Sequence, residues 1–243
     1  MNILKSYDIF LITFKKLNLD LYQTVFNEYA IKLNIIFFEK EYFADLKGYN
    51  ALMLQSYFYK CFAKYSYMLI YQLDCFIFRD ELNKWCEKNY DYIGAPWFTG
   101  NSSHEEGAEL WKVGNGGFSL RKVETFIKIL EYKKNIYTTK RAYKITKANY
   151  GSLFDFIKMT FLGKNNRIKD LLESWNDAED IFYCLVLENT KLKLNIPNIK
   201  EAMQFAFEKS PAYLFKLNNQ TLPFGCHAWK KYQYETFWIN YIC

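Results

Sequence analysis

The stretch YMLIYQLD, residues 67–74, is a near-continuous apolar run that ends in the acid Asp74. A strand that is apolar at consecutive positions is covered on both faces, which is typical of a parallel sheet between layers of helices. Three further segments have the character of short apolar strands, namely Tyr7–Thr13 (YDIFLIT), Asn34–Phe38 (NIIFF) and Tyr92–Ala95 (YIGA). Helical spacing over Leu19–Ile31 and Tyr49–Phe62 separates them. The pattern predicts an α/β fold with a mostly parallel central sheet flanked by helices.

The second half of the chain continues this alternation without a visible division. Trp111–Arg121 (WKVGNGGFSLR) places glycines before a strand-like FSL, and a helix is expected over Ala178–Leu187. No internal repeat is present, and no linker rich in Pro, Gly or Ser divides the sequence. We therefore predict a single domain over residues 1–243.

The composition is that of a folded globular protein, with 51% hydrophobic, 20% aromatic and 24% charged residues. So many aromatic residues supply a large core, which excludes long disordered regions. Charged residues interrupt every apolar run before the roughly 18 residues that a membrane-spanning helix needs, so neither an integral membrane protein nor a signal peptide is expected. Six cysteines occur without C-x-x-C spacing, which favours a reducing, cytoplasmic setting.

The net charge of +6 is concentrated in one segment, residues 133–169, which contains ten Lys or Arg residues and one acid, Asp155. Confinement of the charge favours a single anionic partner surface or a solvated loop, and no nucleic-acid partner is predicted. Apolar residues accompany the cations Lys158 and Lys164; they are Leu153, Phe154, Phe156, Ile157, Phe161 and Leu162. One hypothesis is a helix that contacts an anionic membrane peripherally. The alternative is that the aromatic residues pack on the core and the lysines face water.

Acids at two positions are candidate functional carboxylates. Asp74 follows a strand, at the strand end where open parallel sheets bind ligands, and is a candidate metal ligand, with an ordinary turn acid as the alternative. Glu179 and Asp180 open a helix, where one carboxylate could act as a general base. The alternative there is favourable interaction with the helix dipole, with Asn176 or Asp177 as the N-cap.

A glycine loop, residues 114–117, and the histidine His227 complete the candidate residues. Three glycines among four residues allow a ligand to approach the backbone closely, although a tight turn is the alternative and no P-loop or dinucleotide-binding pattern is present. His227, within PFGCHAW, is a candidate metal ligand or proton carrier, with a structural role beside aromatic residues as the alternative. The other histidine, His104, is expected in a surface loop.

The order of these features resembles GT-A-fold glycosyltransferases: an acid at a strand end, a glycine loop, an acid pair at a helix start and a late histidine. The local sequences YQLDCFIFRDELNKWC, YDYIGAPW, VGNGGFSLRK, EDIFYC and LPFGCHAWKKY look like those of the DUF5672 family of glycosyltransferase-like bacterial and fungal proteins. The resemblance extends from about Tyr7 to Trp238. It implies a GT-A-like single domain with a shortened first βα unit.

The resemblance also implies an activity, which is metal-dependent transfer of a sugar from a nucleotide-sugar donor to a glycan or lipid-linked acceptor in cell-surface polysaccharide assembly. Asp74 and His227 would then be the ligands of a divalent metal, Mn²⁺ or Mg²⁺. Asp180 would be the catalytic base, with Glu179 second. The implied donor- and acceptor-binding residues are Gln72, Asn115, Gly116, Gly117, Trp97 and Trp229.

The sequence departs from the GT-A pattern in two ways. The usual D-x-D is here Gln72-Leu73-Asp74, so an amide replaces one acid. The chain also begins at what resembles the family's second strand. These departures support a second functional hypothesis, a non-catalytic nucleotide- or sugar-binding protein with a degenerate site.

Overall fold

The computed structural model describes residues 2–100, 108–149 and 152–242. Within them, the strands are β1 (Phe10–Phe14), β2 (Asn34–Phe38), β3 (Tyr67–Tyr71), β4 (Phe76–Ile77), β5 (Tyr92–Ile93), β6 (Pro96–Phe98), β7 (Leu110–Val113), β8 (Phe118–Lys122), β9 (Ala206–Phe207) and β10 (Gly225–Cys226). The α-helices of the same residues are α1 (Asp20–Glu28), α2 (Leu46–Met53), α3 (Ser56–Lys60), α4 (Leu82–Glu87), α5 (Val123–Leu130), α6 (Thr139–Ala148), α7 (Leu153–Ile157), α8 (Ile168–Glu173), α9 (Glu179–Ile181), α10 (Ile199–Phe205) and α11 (Pro211–Leu217). Two π-helical turns, Lys158–Leu162 and Phe182–Val186, extend α7 and α9.

A β1–α1–β2 unit forms the N-terminal part of the described fold. Its strands run parallel, with Phe10 opposite Asn34 and Phe14 opposite Phe38. Parallel neighbours need a crossover connection, and α1 supplies it while burying Phe26. The strand–helix–strand order expected for this part of the sequence is present.

The sheet that leads to Asp74 is antiparallel throughout. β8 lies in its middle, and Leu120 is opposite Leu69 of β3 on one side and Ile93 of β5 on the other. The first four residues of β8 are buried. The N–H of Gln72 donates to the carbonyl of Gly117 at 3.1 Å, so β8 begins beside the end of β3 and runs back along it.

The predicted GT-A-like, mostly parallel central sheet is therefore wrong. The described residues form four small sheets, in which parallel pairing is limited to β1–β2 and β9–β10. Consecutive apolar residues in β3 do not require a parallel sheet, because its first four residues are only partly buried and Tyr71 is exposed. The apolar pattern that is typical of parallel sheets occurs here in a strand that pairs with the buried β8 in antiparallel register.

A third small sheet joins segments that are far apart in the sequence. Gly225 of β10 lies opposite Ile77 of β4 in antiparallel pairing and opposite Ala206 of β9 in parallel pairing. The residues that follow β9 and β10 therefore meet the turn that precedes β4. This pairing assembles one edge of the candidate site.

Aromatic rings form much of the core that supports β8. The ring of Phe126, on α5, lies 4.9 Å from that of Tyr59 and 4.5 Å from that of Tyr183. All three side chains, together with Tyr92 of β5, are buried to 1% exposure or less. Rings packed at such distances fill the interior and fix each other's orientation. They therefore give β8 a rigid support.

The helix predicted over Ala178–Leu187 begins at Glu179 and continues as the π-helical turn Phe182–Val186. Ala178 occupies the N-cap position, without a side-chain hydrogen bond. The prediction that Asn176 or Asp177 caps this helix is therefore wrong.

The helices are short, and the ten residues of α6 form the longest of those named above. Across the described ranges, none has the length and apolar character needed to cross a bilayer. The prediction of a single domain over residues 1–243 stays a prediction.

Candidate metal and catalytic site

Asp74 lies in the turn between β3 and β4. The N–H of Cys75 donates to the carbonyl of Gln72 at 3.0 Å, and the N–H of Trp229 donates to the carbonyl of Asp74 at 3.4 Å. These bonds fix the backbone on both sides of the carboxylate. The Asp74 side chain nevertheless remains 47% exposed, so its oxygens are open to a ligand.

Strand β10 brings His227 to the same turn. Cys226 pairs with Phe76, which places the next residue beside the start of β4. The Nε2 atom of His227 lies 3.4 Å from Oδ1 of Asp74 and 3.0 Å from Oε1 of Gln72. The structure thus brings together the two predicted metal ligands and the amide that stands in the D-x-D position.

The other nitrogen of the imidazole, Nδ1, faces Glu208 and Asn115. Oε1 of Glu208 and Nδ2 of Asn115 each lie 3.1 Å from it. Oδ1 of Asn115 accepts the N–H of Phe118 at 3.1 Å, which fixes the orientation of that amide. A carboxylate behind an imidazole holds the ring in place, here with Nε2 directed towards Asp74.

Sequence reasoning missed Glu208. Its cue is the same as that of Asp74, because it directly follows a buried apolar strand, β9. The strand has only two residues, however, and its pairing with β10 is a long-range contact that no local pattern indicates.

Gly116 and Gly117 allow side chains to approach the backbone from two directions. A methyl group at Gly117 would overlap Nε2 of His227, and one at Gly116 would overlap Oε1 of Glu179. Asn115, which precedes them, has a φ of +70°, a conformation that asparagine tolerates better than most residues. A side chain at either position would overlap these neighbours. The two glycines are therefore needed for packing, and their role is not explained by a tight turn alone.

Asp180 contacts the glycine loop from the start of α9. Its Oδ2 accepts the N–H of Gly116 at 3.0 Å and its Oδ1 accepts the N–H of Ile181 at 2.8 Å. Burial raises the pKa of Asp180 above its ordinary value, and these two N–H donors oppose the rise. A carboxylate oxygen has more than one lone pair, so Asp180 could still accept a proton from a bound hydroxyl.

Glu179, the second predicted catalytic acid, points into the protein. Its Oε1 lies 2.8 Å from Nη2 of Arg121, with side-chain exposures of 1% for the acid and 0% for the cation. Its Oε2 has no hydrogen-bond partner among the described residues. Burial raises the pKa of Glu179 to about 7, and the charge of Arg121 opposes that rise. The geometry suits a supporting role for Glu179 and leaves Asp180 as the acid closer to the loop's N–H groups.

The buried cation Arg121 holds the glycine loop in place through hydrogen bonds. Sequence reasoning did not predict this role. Besides Glu179, Arg121 donates to the hydroxyl of Tyr59 at 2.8 Å, to Oγ of Ser119 at 2.9 Å and to the carbonyl of Gly116 at 3.2 Å. A buried cation persists only with such partners. Its sequence cue is a cation within a strand, β8, but two of its partners, Tyr59 and Glu179, lie 62 and 58 residues away in the sequence.

The two predicted tryptophans lie at different parts of the site. Trp229 adjoins Asp74 through the backbone hydrogen bond, and its ring centroid lies 5.4 Å from that of Tyr234. Trp97, in β6, packs against Gly114, where a methyl group would overlap its ring. Trp229 therefore contacts the backbone of Asp74, whereas Trp97 supports the first residue of the glycine loop.

The donor atoms around His227 fit a divalent cation. Ligand atoms of Asp74, Cys75 and His227 lie within 4.8 Å of one another, and the carbonyl oxygen of the Gln72 side chain faces the same point. Burial raises the pKa of the Cys75 thiol, which donates to the carbonyl of Gly117 at 3.3 Å. With that thiol protonated, the set consists of oxygens and an imidazole, which suits Mn²⁺ or Mg²⁺.

A cavity of about 1090 Å³ adjoins this cluster. It lies between β1 and β3, and both Tyr49 and Gln72 line it. The hydroxyl of Tyr49 donates to the carbonyl of Gly116 at 3.2 Å, so this tyrosine lies between the cavity and the glycine loop. Ligand sites commonly measure about 300–1,000 Å³, so this space is large enough for a nucleotide sugar.

A family model described as a protein of unknown function, DUF5672, matches residues 32–227, which is more than half of the chain. The chain belongs to the DUF5672 family. Family membership, expected from the local sequences, is thereby confirmed. Comparison with curated proteins and with solved structures found no match.

The DUF5672 match contains the acid at the β3 end, the glycine loop, the α9 acids and Glu208, and its last residue is His227. β1 and Trp229 lie outside it. His104 falls within the match but lies in residues 101–107, outside the described residues.

Proposed function

We propose that this DUF5672 protein is a metal-dependent glycosyltransferase that moves a sugar from a nucleotide-sugar donor to a glycan or lipid-linked acceptor, in cell-surface polysaccharide assembly. One observation carries the proposal. His227, which lies beside Asp74, packs against Gly117, and Asp180 accepts the N–H of Gly116, so the candidate metal ligands and the candidate base meet at one glycine loop.

Asp74 and His227, with Gln72 beside them, would hold Mn²⁺ or Mg²⁺. When bound, such a cation supplies positive charge that neutralises a departing nucleoside diphosphate. The oxygens and the imidazole nitrogen are the ligand types that these metals accept. Glu208 orients the imidazole from its Nδ1 side.

Asp180 is the proposed base. In a direct displacement, the acceptor hydroxyl oxygen bonds to the anomeric carbon, and the bond from that carbon to the diphosphate oxygen breaks, with its electron pair leaving on the diphosphate. The hydroxyl proton goes to Asp180. The raised pKa that burial gives Asp180 increases its affinity for that proton, which favours general-base catalysis.

A second candidate function is nucleotide or sugar binding without turnover. The observation that favours it is Gln72, because an amide replaces a carboxylate that would strengthen metal binding. The two functions differ in one respect that can be measured, since only the transferase releases free nucleotide from a nucleotide sugar.

The test is mass-spectrometric detection of nucleotide released from a panel of nucleotide sugars in the presence of Mn²⁺ and candidate acceptors. We expect release by the wild type and its loss in Asp74→Ala, with Glu28→Ala, an exposed acid on α1, as the matched control. Donor binding without release from any member of the panel would contradict the transferase and support the binding protein.

We further propose a cytoplasmic location. The cysteines that support it are free thiols, namely Cys61, Cys75, Cys86, Cys184 and Cys226. A reducing compartment maintains cysteines in this state.

A further inference from the structure

A second surface, formed by α7 and the π-helical turn Lys158–Leu162, exposes large apolar side chains. The five exposed residues, here called the apolar face, are Leu153, Phe154, Ile157, Phe161 and Leu162. The exposed fraction reaches 73% for Leu153 and 74% for Phe161. Of the apolar residues that the sequence pattern indicated in this segment, only Phe156 is partly buried. Contiguous exposed apolar residues of this kind mark interaction sites.

The inward side of α7 and of the π-helical turn is attached to the rest of the protein by packing and hydrogen bonds. The Phe156 ring packs edge-on against Tyr143 of α6 at 5.8 Å, and Met159 is buried. Asn166 donates to the carbonyl of Met159 at 3.0 Å, and Asn135 donates to that of Thr160 at 2.6 Å. These contacts anchor the inward side of the segment, and the apolar face is held outward.

A capping box fixes the start of α7. Oγ of Ser152 accepts the N–H of Asp155, and a carboxylate oxygen of Asp155 accepts the N–H of Ser152. Asp155 is the one acid of residues 133–169, and its charge is used at this cap. The carboxylate keeps its negative charge in these bonds, but the ten cations outnumber it and the segment remains strongly basic.

Cations are concentrated in the segment that carries the apolar face. Nine of the ten Lys and Arg residues of the segment are exposed: Lys133, Lys134, Lys140, Arg141, Lys144, Lys147, Lys164, Arg167 and Lys169. The tenth, Lys158, lies with its Nζ 4.1 Å from the centroid of the Phe154 ring. An ammonium group over an apolar face can extend to charged headgroups while its stem stays on the ring.

We propose that the apolar face and the cations of residues 133–169 together bind an anionic lipid bilayer. The acyl boundary of a bilayer accepts apolar side chains, and anionic headgroups accept the cations around them. Nucleic acid would satisfy the cations through its phosphates but offers no apolar layer for the five side chains. The proposal is independent of sugar transfer at the glycine loop.

The first test is co-sedimentation of the full chain with vesicles of phosphatidylcholine alone and of phosphatidylcholine mixed with phosphatidylserine. We expect binding to the anionic vesicles alone, with loss of binding as NaCl is raised, because salt screens exposed charges. Equal binding to both vesicle types, or binding to neither, would overturn the proposal.

Two independent sets of variants locate the binding surface. The double variant Phe154→Ser, Phe161→Ser should reduce the vesicle-bound fraction about tenfold, since both apolar and electrostatic contacts contribute. Its control is Leu21→Ser, Leu46→Ser, which changes residues exposed by 73% and 70% on α1 and α2. Circular dichroism checks that both doubles remain folded. An equal loss in the control would contradict the assignment.

The second set neutralises charge. Lys144→Gln, Lys147→Gln and Lys164→Gln together should weaken binding and reduce its salt dependence. Lys32→Gln and Lys47→Gln, exposed lysines elsewhere, should leave binding unchanged. A wild type that dimerises through the apolar face and ignores vesicles, with dimers lost in Phe154→Ser, Phe161→Ser, would overturn the lipid assignment in favour of a protein interface.

Discussion

Nε2 of His227 lies 3.4 Å from Oδ1 of Asp74; His227 directly follows β10, and Asp74 lies two residues before β4, its partner strand in one small sheet. Gly117 leaves the imidazole the space to reach this position. The pair therefore depends on three separate segments of chain. We expect substitutions in any of the three to affect cation binding.

Asp180→Asn tests the proposed base. Asparagine keeps the shape of the side chain but cannot take a proton, so we expect kcat for sugar transfer to fall about 100-fold or more, with donor binding nearly unchanged. Steady-state kinetics and calorimetry measure the two effects. Wild-type turnover in Asp180→Asn would reduce this acid to a support of the glycine loop.

Glu179→Gln tests the buried ion pair through the pH dependence of stability. Burial raises the pKa of Glu179 from 4.5 to about 7, so between these values the folded protein holds a proton that the unfolded chain has released. The free energy of unfolding of the wild type should therefore fall as pH rises through this window, by up to about 1.4 kcal/mol per pH unit, and level off above it.

Glu179→Gln lacks this titration, so its stability relative to the wild type should improve from pH 5 towards about pH 7. Urea denaturation at several pH values measures the difference. Glu28→Gln, on the exposed side of α1, is the control and should follow the wild type. Parallel curves for wild type and Glu179→Gln would show that Glu179 titrates normally.

Gly117→Ala tests the close approach of the loop to His227. The added methyl group would overlap Nε2, so we expect weaker Mn²⁺ binding and a lower Tm. A double-mutant cycle with His227→Ala provides the control, since residues in contact are coupled. If the same loss of Tm occurs with and without the imidazole, the overlap is not its cause.

Glu208→Gln tests the orientation of the imidazole. The amide keeps the size of the side chain but removes the charge behind Nδ1, and loss of such a partner typically weakens metal binding about 10- to 100-fold. Calorimetric titration with Mn²⁺ measures the change. Unaltered affinity would exclude Glu208 as a positioning residue.

The sequence singled out residues that the structure brings together, although it did not predict the fold around them. Asp74, the glycine loop, Asp180 and His227 are short polar interruptions next to apolar strands or at a helix start, and such interruptions are visible locally. Strand direction is not. The run YMLIYQL predicts a strand at β3, but only its pairing with β8 reveals that β8 runs back along it.

Arg121 and Glu208 illustrate what local patterns omit. Arg121 is buried because Tyr59, Ser119, Gly116 and Glu179 satisfy it together, and those residues come from different elements. Glu208 faces His227 only because two short strands pair in parallel. Long-range partners of this kind decide whether a charged side chain is exposed or part of a site.

Pulsed electron paramagnetic resonance of the Mn²⁺-loaded protein tests most directly whether Asp74 and His227 hold one cation. The account predicts a nitrogen hyperfine coupling from a bound imidazole, kept in Asp180→Asn and in His104→Ala, the only other histidine of the chain, and lost in His227→Ala. Asp74→Ala should weaken Mn²⁺ binding. A wild type without the coupling, or a coupling that persists in His227→Ala, would contradict the account.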